Sequence, residues 1–320
     1  MKNSKNYERL MNEIDNYEQT VGTIIALCHV LKYDFGGEAR IGKSMNTSNK
    51  NVVSPNTKVT PDVVGQIKDY GLVSEVKKTL PRNEEYLDAD VDQIKKYDDF
   101  LTGWFVNEIR GHDITVLIHL LRSHGFVEYL KSKVSKGELQ LTRKLSVVEF
   151  VRSSERQEFF TLRKAYGEIH HMELDKKLTP GIGVPMQKII PELSSVKFYD
   201  CEPPVPVTMA ILWDNIFSDI PKAEEFRDSR RKGITITVEL EKALNKCKEY
   251  FGPRDSDAEI PKMVWIKHAM EKFVEIGLAE QLQQKDTYSV YYRRIYGGRT
   301  LEYFAKEVVE LEQGSKLNNF

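Results

Sequence analysis

One stretch constrains the fold of this chain more than any other: residues 60–78, which read TPDVVGQIKDYGLVSEVKK. Apolar residues predict two short strands here, one at 63–67 and one at 72–76. Residues 69–71, Asp-Tyr-Gly, predict the tight turn between them.

Three charged residues of this hairpin are expected on one side. Strand side chains alternate between faces, so Glu75 and Lys77 point the same way. The turn brings Asp62, at the start of the first strand, back near Glu75. Carboxylate oxygens suit Mg²⁺ or Mn²⁺ better than Zn²⁺. The hairpin therefore predicts a divalent-metal site with a lysine beside it, and the backbone carbonyl of Val76 is a natural further ligand.

The flanking residues predict a mixed α/β domain. Apolar residues recur at three- and four-residue steps over 6–34, which predicts a long helix, and 89–104 predicts a second. The Asn- and Ser-rich residues 44–57 predict a loop. We expect strands at 112–121, 145–151 and 158–163 and a short helix at 126–134. This domain is expected to cover residues 1–167.

The second half of the chain has a different composition. Prolines and glycines are frequent in 168–206, which predicts an irregular linker. A mainly helical domain is expected over 207–320, with helices at 207–217, 238–251 and 261–278, a two-stranded ribbon formed by 282–284 and 288–294, and a last helix at 301–311. Three helices followed by a ribbon resemble a winged helix-turn-helix domain in their order of elements.

The hairpin and the helix after it resemble a known superfamily. Pro61-Asp62, followed thirteen positions later by Glu75-Val76-Lys77, is similar to the PD-(D/E)XK nuclease signature. Residues 93–97, Gln-Ile-Lys-Lys-Tyr, look like the Gln-X-X-X-Tyr element of its RecB-like and Cas4-like branch. The resemblance implies a restriction-endonuclease-like fold, with a central mixed sheet flanked by helices.

The resemblance also implies roles for particular residues. Asp62 and Glu75 would bind Mg²⁺ or Mn²⁺, Lys77 would assist the attacking water, and Gln93 and Tyr97 would support the site. A preceding helix usually supplies another acidic ligand in this superfamily. Glu18 is the first choice for it by its position, and Glu38 is the second.

Several basic residues are candidates for contacts with DNA. Arg152 and Arg156 lie around a predicted strand pair, Lys267 and Lys272 lie on the third helix of the C-terminal half, and Arg293 and Arg294 lie near the ribbon. Acidic residues interrupt that helix at Glu271 and Glu275. Whether the C-terminal domain contacts DNA or protein is therefore open.

Composition excludes some classes of protein. The 47 basic and 48 acidic residues nearly cancel, so any contact with nucleic acid needs local patches. The three cysteines, at positions 28, 201 and 247, have no metal-ligand spacing and no cluster for an iron–sulfur centre. No apolar run approaches the ~20 residues of a membrane span, and no signal peptide is recognised, so we expect a cytoplasmic protein.

Together these patterns predict a metal-dependent deoxyribonuclease that acts in anti-phage defence, restriction or phage DNA processing. Its partners would be DNA, possible protein components of a larger system and, for cutting both strands, a second copy of the chain. The alternative is a non-catalytic DNA-binding or assembly protein that retains a nuclease fold. DNA and RNA are not distinguished by the residues.

Overall fold

The computed structural model describes residues 2–48, 57–77, 84–106, 109–153, 159–220, 233–253, 256–257, 259–295 and 299–314. They form two compact units. The first comprises Met1–Glu18, Cys201–Gly252 and Glu259–Phe320, and the second comprises Gln19–Asp200 and Pro253–Ala258. In the described part of the chain, no helix is both long enough and apolar enough to cross a membrane.

A seven-stranded mixed sheet is the centre of the second unit. Its strands, in spatial order, are β1 (Glu38–Ile41), β4 (Val63–Ile67), β5 (Tyr70–Lys77), β7 (Gly111–His119), β8 (Leu145–Ser153), β9 (Phe159–Gly167) and β10 (Ile182–Pro185). The parallel pairs are β5 with β7 and β7 with β8, and the other pairs are antiparallel. The expectation of a central mixed sheet in an α/β domain is confirmed.

The β4–β5 hairpin forms as its apolar pattern predicts. Val63 pairs with Ser74 and Ile67 with Tyr70, so the turn consists of Lys68 and Asp69, slightly earlier than the predicted turn. Lys68 has a φ of 54°, in the left-handed region that a turn this tight requires. Every residue of β5 after Tyr70 is buried, because strands and helices surround it on all sides.

Helices cover both faces of this sheet. A cluster of buried side chains joins one face to α2 (Glu84–Lys96) and α3 (Leu120–Ser135), with Val73, Val116, Ile94 and Phe126 among its members. The other face is covered by the later part of α1 (Lys2–His29) and the π-helical turn Val30–Asp34 that continues it. Leu31 packs on Gly65 of β4, and a Cβ added there would lie 2.6 Å from Leu31 Cδ1.

A bulge interrupts the β8–β9 ladder. Val147 pairs with Tyr166, but Val148 pairs with Lys164, so Ala165 has no opposite residue. Beyond this point Glu149 pairs with Arg163. The bulge sets which of the two cations, Arg163 and Lys164, shares a face with Glu149.

Two predicted elements near the sheet are wrong in part. A second, three-stranded sheet contains β2 (Met45–Ser48), β3 (Thr57–Val59) and β6 (Phe100–Thr102), where a loop over 44–57 and a helix through 104 were expected. The helix ends at Lys96, and Phe100–Thr102 pair with β2 instead. Buried Met45 and Leu101 anchor these strands despite their polar neighbours.

The expected linker over 168–206 is also wrong, because most of it is regular structure of the second unit. It contains α4 (Met172–Leu178), β10 and α5 (Met186–Ser195). Its prolines are compatible with this: Pro185 ends an edge strand, where no hydrogen bond from its nitrogen is needed, and precedes α5.

The first unit is built around one tryptophan. It contains α6 (Val205–Ile211), which continues as Leu212–Ile216 and Phe217–Asp219, then β11 (Ile234–Glu239), α7 (Leu240–Phe251), α8 (Met263–Glu275), β12 (Ala279–Gln281), β13 (Thr287–Tyr292) and α9 (Thr300–Glu312). The rings of Phe217, Phe273, Tyr292 and Phe304 lie 5.2 to 6.0 Å from that of Trp213. The strand order is β11-β13-β12, and β11 was not expected.

Candidate functional site

Asp62 lies where the β4–β5 ladder ends. It precedes β4 and is buried, and its Oδ2 accepts a hydrogen bond of 2.7 Å from the backbone nitrogen of Val76. The carboxylate therefore crosses to the neighbouring strand beside Glu75.

Glu75 and Lys77 share the α2-facing side of β5, as the alternation of strand side chains predicts. The distance from Lys77 Nζ to Glu75 Oε1 is 3.2 Å, and both side chains are about nine-tenths buried. A buried ion pair is stable only when the remaining donors and acceptors are also satisfied. Helix α2 supplies those partners.

Two residues of α2 and Tyr97, the residue that follows it, complete a closed network around Lys77 and Glu75. The Lys77 ammonium lies 2.9 Å from Asp90 Oδ1 and donates to Gln93 Oε1 at 2.9 Å. Gln93 Nε2 donates to the hydroxyl of Tyr97 at 3.2 Å, and that hydroxyl donates to Glu75 Oε2 at 2.7 Å. The structure thus brings together Glu75, Lys77, Gln93 and Tyr97.

Asp90 is a member of this network that the motif alone does not identify. It precedes Gln93 by three positions and Tyr97 by seven, a spacing that places all three on one helical face. That spacing was the available signal for it.

The electrostatics of the site follow from burial. Burial, and next the Glu75 carboxylate, raise the pKa of Asp62 well above its usual value, and Asp200 raises it further. Burial also raises the pKa of Glu75. Burial works to lower the pKa of Lys77, but the carboxylates of Glu75 and Asp90 outweigh it and the pKa is raised, so the ammonium keeps its charge.

A divalent cation would relieve this arrangement. Two buried carboxylates whose pKa values are raised mainly by burial are the oxygen donors that Mg²⁺ and Mn²⁺ prefer. Asp62 and Glu75 therefore fit the role of ligands. Within the ranges the structure describes, no three histidine, cysteine, aspartate or glutamate side chains are already grouped to hold a metal. The Val76 carbonyl stays a prediction.

The two candidates for a third acidic ligand have different outcomes. Glu18 is exposed on α1 and belongs to the first unit, so its role stays a prediction. Glu38 lies opposite Gln66 in the β1–β4 ladder. Gln66 is four residues from Asp62, so Glu38 and Asp62 are separated by roughly 13 Å along the strand direction. Because one ion holds its ligands at about 2–2.6 Å, Glu38 cannot share an ion with Asp62. Asp200, which acts on Asp62 from the expected linker, was missed.

The candidate DNA contacts are dispersed over both units. Arg152 is half-buried, with Nη2 4.0 Å from the Met186 sulfur, and Arg156 lies outside the described residues. On α8, Lys267 lies 3.9 Å from Glu271 and Lys272 lies 2.6 Å from Glu275. Arg293 and Arg294 are exposed just after β13. Because Lys267 and Lys272 are paired with acidic residues of the same helix, they are weaker candidates for DNA contacts. The DNA contacts of the four arginines stay predictions.

No family model, curated protein or solved structure matches this chain, so the argument about its chemistry depends on its own residues.

Proposed function

We propose that this chain is a metal-dependent deoxyribonuclease of the PD-(D/E)XK type, with its active site at Asp62, Glu75 and Lys77. The observation that carries the proposal is the network in which α2 holds Lys77 beside two buried carboxylates. Such a set of charged groups is costly to bury, and a phosphodiester-cleaving site explains why they are together.

Each residue then has a defined task. Asp62 and Glu75 would hold the cation, and a bound Mg²⁺ or Mn²⁺ would polarise a phosphoryl oxygen and make a bound water more acidic. The Lys77 ammonium stabilises negative charge that develops on the phosphoryl group. Asp90 and Gln93 fix the ammonium, and the Tyr97 hydroxyl fixes the Glu75 carboxylate, so both groups are positioned before substrate binds.

Plasmid cleavage tests the proposal. The wild-type chain is incubated with DNA and Mg²⁺ or Mn²⁺, beside Asp62→Ala and Lys77→Ala. The matched control is Lys95→Ala, which replaces an exposed lysine of α2 that pairs with Asp92. Loss of Lys77 is expected to lower the rate by about 10²–10³-fold, the usual effect of removing a group that stabilises the transition state. Cleavage that needs no metal, or that survives in Asp62→Ala, would contradict the proposal.

A second candidate function is a non-catalytic DNA-binding or assembly protein with a nuclease-like fold. The saturation of the site favours it: both Glu75 oxygens accept hydrogen bonds and the Lys77 ammonium already has three partners. DNA binding without cleavage of any supercoiled, linear or single-stranded form, alone or with partner proteins, would support this function instead.

We further propose that the first unit is a winged-helix-like domain. Its elements follow the order helix, strand, two helices and a two-stranded ribbon, and β11 pairs with the second ribbon strand β13. Strand β11 supports the proposal beyond the helices and the ribbon, because it pairs with β13 and completes a three-stranded sheet. The unit would choose the DNA site or the protein partner.

The biological setting is part of the proposal as well. A nuclease of this kind would act in anti-phage defence, restriction or phage DNA processing, with protein partners or as a dimer when both strands are cut. Sedimentation velocity with and without a DNA duplex tests the dimer: a monomer that nevertheless makes double-strand breaks in one binding event would contradict it.

A further inference from the structure

The opposite end of the sheet contains a second polar pocket that the nuclease proposal does not use. It has a volume of about 410 Å³ and lies at the amino ends of β5, β7 and β8, where the end of β9 also arrives. Its lining includes Asp69, Tyr70, Arg110, Arg143 and His170. Tyr70 lies five residues before Glu75, roughly 16 Å along β5, so the two sites are distinct.

A histidine in this pocket is held in one orientation by a buried carboxylate. Asp113 is fully buried and accepts three hydrogen bonds: from His170 Nδ1 at 2.7 Å, from the His170 backbone nitrogen at 2.6 Å and from the Tyr70 hydroxyl at 3.0 Å. Because a carboxylate accepts, Nδ1 is the protonated ring nitrogen and Nε2 is left for a ligand. The imidazole is 61% exposed, so a ligand can reach it.

An arginine in the same pocket has a buried side-chain nitrogen without a partner among the described residues. The Arg143 Nε is buried and makes no hydrogen bond within the described ranges. The guanidinium lies against Gly111, where an added Cβ would be 3.6 Å from Nη1. Asp98 holds the backbone here by accepting from the nitrogen of Arg143 at 2.7 Å. A buried donor left unsatisfied is costly and points to a missing acceptor.

The charges of the pocket indicate the sign of that acceptor. Asp113 already accepts hydrogen bonds from His170 and Tyr70, and Asp69 is paired with Arg110 at 2.7 Å. Among the described residues that line the pocket, Arg143 is therefore the cation without a carboxylate partner for its side chain. A planar guanidinium donates two parallel hydrogen bonds to an oxyanion, and a phosphate has further oxygens for donors on its other sides.

We propose that this pocket binds a phosphate group, with Arg143 as its main donor, the Arg110 guanidinium on another side, and His170 Nε2 accepting from a protonated oxygen of the phosphate. The cavity is large enough for a phosphomonoester and not only for the free ion. The phosphate can come from solution or from the 5′ end of a DNA strand. The site is independent of the metal site and remains even if the nuclease proposal fails.

Isothermal titration calorimetry on the full chain tests this inference. The protein is kept in chloride buffer with a metal chelator, so that no phosphate binds through a cation at Asp62 and Glu75. The titrants are inorganic phosphate, a nucleoside 5′-monophosphate, and one oligonucleotide with and without a 5′ phosphate. Binding of phosphate that Asp62→Ala leaves unchanged is expected.

Substitutions locate the binding. Arg143→Gln is expected to lower phosphate affinity about tenfold or more, the effect of losing charge-assisted hydrogen bonds. His170→Gln and Arg110→Gln are expected to lower it less, and they carry the test if Arg143→Gln does not fold by circular dichroism. The control is Arg122→Gln, an exposed arginine on α3, which should bind as the wild type does.

The outcomes separate cleanly. Tighter binding of the 5′-phosphorylated oligonucleotide than of inorganic phosphate identifies a DNA end as the source, and equal binding identifies the free ion. Absence of phosphate binding at millimolar concentration overturns the inference, as does equal affinity in the wild type and the folded pocket variants.

Discussion

The Asp62 and Glu75 carboxylates oppose the stability of the metal-free fold. Burial raises the pKa of both carboxyl groups, and a neighbouring carboxylate raises it further: Glu75 beside Asp62, and Asp90 beside Glu75. A protein keeps such groups in place through the rest of its structure, here by the Val76 hydrogen bond and by the contacts of α2. A substitution that removes one of these carboxylates should therefore stabilise the metal-free protein and abolish its activity.

Asp62→Asn is expected to stabilise the metal-free protein at neutral pH while it abolishes cleavage. Because the folded-state pKa of Asp62 is raised, the folded protein binds a proton that the unfolded chain has already released. The free energy of unfolding of the wild type therefore falls as the pH rises from the ordinary aspartate pKa through the raised pKa of Asp62. The free energy of unfolding of Asp62→Asn does not contain this pH-dependent decrease. Thermal unfolding against pH in a chelator measures the difference.

The control for this prediction is Asp88→Asn. The hydrogen bond from Lys133 lowers the pKa of Asp88, so the same substitution there should bring no gain in stability at neutral pH. A wild-type protein that is more stable than Asp62→Asn at every pH would show that the Asp62 carboxylate is not strained in the folded state.

Tyr97→Phe is expected to lower the free energy of unfolding by about 1–3 kcal/mol, because buried Glu75 Oε2 loses its donor. Cleavage should slow as well, since the carboxylate is no longer fixed. Urea unfolding measures the change, and Tyr129→Phe, which removes an exposed hydroxyl bonded to Asp88, is the control. Equal unfolding free energies in the two variants would argue against a role for the Tyr97 hydroxyl in holding Glu75.

At the scale of elements, the sequence specified the site better than it specified the surroundings. The hairpin was predictable because a two-residue period fixes which side chains share a face, and the Gln93–Tyr97 pair because a four-residue step does so on a helix. The prolines of residues 168–206 led to the wrong prediction of a linker, because proline is tolerated at an edge strand and at the start of a helix. Strand β11 was missed although Ile234, Ile236 and Val238 alternate with threonines.

Contacts that join distant segments explain the remaining omissions. Asp200 acts on Asp62 from a different part of the chain, and no local period announces it. The end of the predicted helix over 89–104 depended on β2, which accepts Phe100–Thr102 as a neighbouring strand. Pairing of this kind overrides local propensity.

Helix α1 approaches the sheet closely at Gly22, which gives a prediction at this scale. A Cβ at Gly22 would lie 2.2 Å from Phe160 Cζ, so Gly22→Ala should cost about 1–3 kcal/mol by overpacking, despite alanine's better helix propensity. Gly125→Ala, at an exposed position inside α3, should instead stabilise by about 0.5–1 kcal/mol. Chemical denaturation of both variants checks the opposite signs, and stabilisation by both would place Phe160 elsewhere.

At the scale of the whole molecule, the nearly neutral charge leaves DNA binding to local groups. If Arg293 and Arg294 contact phosphates, replacing each by glutamine should reduce the slope of log affinity against log salt by about 0.9. Their position is well defined, because Trp213 Nε1 donates to the Arg293 carbonyl at 2.8 Å. Fluorescence anisotropy at several salt concentrations measures the slope.

Arg9→Gln is the matched control for this measurement, since Arg9 is exposed and pairs with Glu13 on its own helix. Slopes that are the same in the wild type and in both variants would assign the first unit to protein contacts.

The bulge at Ala165 marks a point where this strand can lose a residue without a change of register. Arg163 donates to Glu149 at 2.6 Å, and Lys164 donates to Asp175 at 2.6 Å. Deletion of Ala165 would leave Val148 opposite Lys164 and Glu149 opposite Arg163, so the ladder would become even and neither cation would change face. Loss of Ala165 should therefore keep both ion pairs, whereas loss of a residue inside the paired part of β9 would move its neighbours to the other face.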